Sequence, residues 1–72
     1  MQFRYIIYTC EYGSSQCKIL MSFFNLKDSI DYLNSWLRST PLKNLRQYEF
    51  VLLQDLKTRE NILVIPFDTI RK

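Results

Sequence analysis

Two runs rich in Phe, Tyr, Ile and Thr, residues 2–11 and 16–24, open the chain, and Tyr12-Gly13-Ser14-Ser15 separates them. Both runs have strand composition. Gly13 at the first position of a two-residue Gly-Ser loop suits a type II′ hairpin turn, because glycine accepts a positive φ without a Cβ clash. That turn predicts a register in which Cys10 faces Cys17, Tyr8 faces Ile19, Ile6 faces Met21 and Arg4 faces Phe23 on one side. On the other side Phe3 meets Phe24, Tyr5 meets Ser22, Ile7 meets Leu20 and Thr9 meets Lys18. Each side of the hairpin is largely apolar.

The period changes after Phe24. Leu26, Ile30, Leu33 and Leu37 recur at spacings of four, three and four, while Lys27, Asp28, Asp31, Asn34 and Arg38 fall between them, which is the pattern of an amphipathic helix. Asn25 is a preferred N-cap, and Asp28 at the third helical position suits the positive end of the helix dipole. Ser39-Thr40-Pro41 ends the helix, since a residue before proline is pushed out of the α region. Trp36 and Tyr32 lie beside the leucine stripe and are expected to flank the core.

Residues 42–46 read as a basic connection, and residues 47–54 and 61–65 as two further strands joined by a loop over 55–60. Pairing Asp55 with Glu60 puts Leu53 opposite Ile62 and Val51 opposite Val64 on one side. Leu52 then faces Leu63, and Phe50 faces Ile65, on the other. Pro66 stops the strand, and a short tail follows with one helical turn expected near Asp68. The order β-β-α-β-β predicts a single α+β domain over residues 1–72, an antiparallel sheet packed on one amphipathic helix. The pattern leaves strand order open.

Length limits the rest. A chain of 72 residues buries only about 60% of its unfolded surface and has room for one core. The absence of histidine removes Ser-His-Asp and Cys-His catalysis, histidine metal sites and a histidine pH switch together. The carboxylates are scattered over turns, strand ends and the polar helix face, so no catalytic residue, metal site, cofactor or small-molecule substrate is expected and the chain does not read as an enzyme. No apolar run approaches the roughly 20 residues of a membrane span, and no secretory leader is apparent. Cys10 and Cys17 read as two small packed hydrophobes facing each other in a reducing cytoplasm, with a redox pair as the minority reading.

The net charge of +3 is unevenly placed. Residues 1–36 are neutral, and between Tyr32 and Tyr48 there is no acidic residue while Arg38, Lys43 and Arg46 all occur. These three are the candidate anion or nucleic-acid contacts, and Trp36 nearby offers a stacking surface. Seven isoleucines, ten Phe plus Tyr and no alanine are what an AT-rich gene encodes, a bias that fits a phage or other mobile element.

The sharpest expectation comes from covers. A four-stranded sheet has two apolar faces here, and one helix can bury only one of them. Phe3, Tyr5, Ile7, Leu20, Phe24, Val51, Leu53, Ile62 and Val64 are the candidate protein-interface residues, unless the tail around Phe67 and Ile70 plugs the second face. The expected function is therefore a non-enzymatic protein-interaction module, a small regulator or inhibitor that occludes a protein partner or pairs as a homodimer. The alternative is a small nucleic-acid-binding protein that uses the basic 38–46 stretch.

Overall fold

The computed structural model describes residues 2–13 and 16–68, to which all structural statements refer. It contains strands β1 (Tyr5–Glu11) and β2 (Cys17–Phe23), helix α1 (Leu26–Ser39), a helical turn α2 (Leu42–Leu45), and strands β3 (Tyr48–Asp55) and β4 (Asn61–Pro66). The four strands form one antiparallel sheet in the order β2-β1-β3-β4, with the main helix across one face. The two hairpins are thus joined through their first strands, β1 against β3.

The predicted hairpin registers hold near the turns and fail beyond them. Cys10 faces Cys17, Thr9 faces Lys18 and Tyr8 faces Ile19, but Ile7 then faces Met21, Ile6 faces Ser22 and Tyr5 faces Phe23. Leu20 is an extra residue on β2, a β-bulge that shifts the far half of the strand by one position. The second hairpin repeats this. Asp55 N–H donates to the Glu60 carbonyl at 2.9 Å and Gln54 faces Asn61, whereas Leu53 faces Leu63, Leu52 faces Val64, Val51 faces Ile65 and Phe50 faces Pro66. Ile62 is the extra residue there. Because side chains alternate across a sheet, each bulge moves the far residues to the opposite side from the one expected.

The turns obey local chemistry. Gly13 has φ +78, as its turn position demands, while Ser14 and Ser15 of that turn lie outside the described residues. In the second turn Arg59 adopts φ +64, a left-handed conformation unusual for a residue with a Cβ. The Asp55 carboxylate accepts from the Lys57 N–H at 2.9 Å and anchors that turn.

Helix α1 starts as its sequence dictates: the Asn25 side chain accepts from the Asp28 N–H at 2.9 Å, and Asn25 Nδ2 donates to the Asp28 carboxylate at 2.9 Å. It ends at Thr40, whose N–H and hydroxyl both donate to the Trp36 carbonyl. The buried face is rotated from the predicted stripe. Ser29 and Leu33 are buried, with Tyr32, Trp36 and Leu37 packed on the core, whereas Leu26 and Ile30 are exposed. Ser29 is small and donates its hydroxyl to the Leu26 carbonyl at 2.6 Å, so it needs no other partner where the helix lies against the sheet. Trp36 and Tyr32 flank the core as expected: Trp36 meets the rings of Tyr48 and Phe67, and Tyr32 meets that of Phe23.

Residues 42–45 are not a loop. Pro41, with φ −61, precedes the turn α2, which buries Leu45 in the core. Phe67 is also buried, on the helix side, so it completes the covered core and does not plug the second face. The expected contribution of Ile70 lies outside the described residues. No helix is long and apolar enough to cross a membrane among the described residues.

Candidate functional site

Cross-strand pairing assigns the paired sheet residues to two faces. On the helix side run the rows Lys18-Thr9-Val51-Ile65, Met21-Ile7-Leu53-Leu63 and Phe23-Tyr5-Asp55. Ile7, Val51 and Leu53 at the centre of these rows are 0% exposed, and Tyr5 is buried with them. This corrects the expected interface. Tyr5, Ile7, Val51 and Leu53 do share one face, but it is the face that α1 covers, and Leu20 packs against the same core. Phe3 and Phe24 meet as expected, as exposed stacked rings with centroids 4.5 Å apart, at the end of the first hairpin away from its turn. Ile62 and Val64 are exposed on the edge strand β4.

The other face carries the rows Cys17-Cys10-Phe50-Pro66, Ile19-Tyr8-Leu52-Val64 and Ser22-Ile6-Gln54-Asn61. Among the described residues no helix is packed on it. Only Val64 among the expected interface residues belongs to these rows. At their ends Ile19 is 61% exposed and Val64 47%, while Leu52 in the middle is 5% exposed. None of the residues in the three rows is an Asp, Glu, Lys or Arg, so these rows carry no charge. Its polar end is tied together by Gln54 Nε2, which donates to Asn61 Oδ1 at 3.4 Å.

Cys10 and Cys17 are joined by a disulfide at one end of this face. Cys10 is buried and Cys17 exposed, so the expected pair of packed free thiols is corrected to a cross-strand bond of a kind that persists in oxidising surroundings. The strand register had placed the two sulfurs together, and directly opposed Cα atoms in an antiparallel pair lie within disulfide reach.

Charge gathers elsewhere. Arg38 stands in the last turn of α1, where a cation suits the negative end of the helix dipole, and Lys43 and Arg46 lie in and just after α2. All three lie on two successive helical segments, at the end of the molecule where α1 gives way to α2. A separate cleft of about 260 Å³ is lined by Gln2, Phe3, Arg4, Leu56 and Lys57. Its Arg4 is already engaged, donating through Nε and Nη2 to the two oxygens of Asp55 at 3.4 and 3.2 Å and lying 5.3 Å from the centre of the Tyr5 ring. The hydrogen bond from Arg4 holds the Asp55 carboxyl below the usual carboxylate range, and that same bond raises the Arg4 guanidinium. A fork of this kind fastens the N-terminal end of β1 to the start of the β3–β4 turn and leaves little of Arg4 for a ligand.

Compared with known proteins, the chain matches no family model, no curated sequence and no solved structure.

Proposed function

We propose that this protein is a non-enzymatic interaction module that works through the open face of its sheet, occluding the surface of a protein partner in the manner of a small regulator or inhibitor. The observation that carries this reading is the contrast between a finished core on one side and, among the described residues, a face with no helix on it and three uncharged, largely apolar rows on the other. Desolvating such a face favours association, and contiguous exposed apolar surface on a small monomer marks interaction sites. The same lack of charge argues against phosphate backbones as the ligand of this face, because nucleic-acid affinity rests on cations. A mobile-element setting is proposed from composition alone.

Fluorescence of a hydrophobic dye in dilute solution tests the reading. The wild-type protein is expected to bind the dye and Ile19→Glu to lose it with unchanged circular dichroism; a folded, dye-silent wild type overturns the reading. Gel-shift assays at low salt test the rival. Tight, salt-sensitive binding of DNA or RNA that collapses when Arg38, Lys43 and Arg46 are neutralised together would transfer the function to the α1–α2 end of the molecule.

A further inference from the structure

From the open face we infer a specific occupant: a second copy of this chain, packed face to face so that two four-stranded sheets form a sandwich. The inference rests on the interaction reading above and gives it a partner. Three features of the molecule favour a copy of itself. First, a two-fold axis sets a surface against its own image, which penalises any face carrying net charge of one sign; the three rows of this face carry none. Second, a two-fold axis running along the strands lays the order β2-β1-β3-β4 over its reverse. Ile19 then meets the partner's Val64 and Tyr8 meets the partner's Leu52, so large side chains oppose smaller ones, and the amide-bearing row meets itself. Third, edge-to-edge pairing competes poorly. Both outer strands are bulged, at Leu20 and Ile62, and Pro66 of β4 has no N–H to donate, devices that blunt a sheet edge.

Area sets the strength. Four strands spaced about 4.8 Å apart and some six residues deep at about 3.3 Å each present a face of roughly 19 by 20 Å. Two such faces bury about 750 Å² in projection and more once side-chain relief is counted, which is well below the roughly 1,200 Å² at which stable specific interfaces begin and lies in the range of weak, transient ones. The dimer is therefore weak and concentration-dependent, and aligned sheets packed about 10 Å apart are its geometry.

Sedimentation equilibrium from dilute solution up to about 1 mM, with dye fluorescence read on the same samples, tests the inference. The expected result is a twofold rise in mass with concentration, accompanied by loss of dye binding. Ile19→Lys and Val64→Glu, both at exposed positions that leave the covered core intact, should each weaken self-association at least about a hundredfold, because each buries unpaired charges. Mixing the two variants should restore a dimer, since the introduced lysine of one chain then meets the introduced glutamate of the other across the axis, beside one native Ile19–Val64 contact. A wild type that stays monomeric throughout overturns the second-copy assignment: if it still binds dye, the interaction face survives and awaits a different protein, and if it is dye-silent, both readings fall. A dimer insensitive to both variants, or one that mixing does not restore, equally overturns the proposed packing.

Discussion

The two faces of the sheet are built from the same four strands and share many apolar residue types, yet they differ in what covers them. On the helix side Ile7, Val51 and Leu53 are fully shielded, and α1, α2 and Phe67 close over them. On the far side Leu52 and Cys10 are buried and Tyr8 and Phe50 half-buried, while Ile19 and Val64 at the ends stand in water. Apolar content is therefore not what makes a core. A residue contributes its full transfer free energy where its surroundings exclude water from it, and among the described residues one helical layer serves two apolar faces.

The largest test of that contrast is Leu53→Ala. It should cost about 2–5 kcal/mol, as fully enclosed Leu→Ala changes do, whereas Ile19→Thr on the open face should change monomer stability by no more than about 0.5 kcal/mol. Urea denaturation in dilute solution compares the two; equal losses would show that the open face is covered within the monomer. Reduction of the Cys10–Cys17 bond comes next. Chain entropy for so short a loop predicts a loss of about 2.5 kcal/mol, seen as a lower melting temperature with a thiol reductant present and no loss of sheet signal.

A flaw in the covered face gives a gain in place of a loss. The Thr9 hydroxyl is buried, 1% exposed, with no hydrogen-bond partner. Thr9→Val keeps the shape and removes the stranded hydroxyl, so it should stabilise the fold by about 1 kcal/mol or more. Destabilisation in thermal melts would mean that the hydroxyl has a partner after all.

The smallest effect concerns the Arg4–Asp55 fork, whose arginine is nearly half exposed and therefore screened. Asp55 has a carboxyl pKa lower in the folded chain than in the unfolded one, chiefly through its hydrogen bond from Arg4. Its contribution to stability is thus present above the ordinary aspartate value of about 4 and is lost as pH falls through the lower folded value. Wild type should be more stable than Asp55→Asn at neutral pH, and the gap should narrow on acidification. A gap independent of pH would assign the difference to the turn hydrogen bonds of Asp55 alone.

What could be read from the chain itself was whatever depends on neighbours in sequence. The helix start at Asn25 and Asp28, its stop before Pro41, the positive φ of Gly13 and the pairing closest to each turn all follow from contacts spanning a few residues, and the structure has each of them. Even the grouping of Tyr5 with Ile7, and of Val51 with Leu53, followed from the two-residue period. Missed were the helical turn Leu42–Leu45, for which Pro41 followed by Leu42 and Leu45 was the available signal, and the oxidation of two cysteines already placed opposite each other.

The tertiary structure alone decided which face the helix would cover, the order β2-β1-β3-β4, and the bulges at Leu20 and Ile62 that carried Val64 to the open side. The reason is degeneracy. With apolar residues on both sides of every strand, the period fixes which residues share a face but not which face is buried, and a one-residue slip costs nothing that local sequence can register. Only the docking of α1, rotated so that Ser29 and Trp36 rather than Leu26 and Ile30 face the sheet, breaks the symmetry between the two sides.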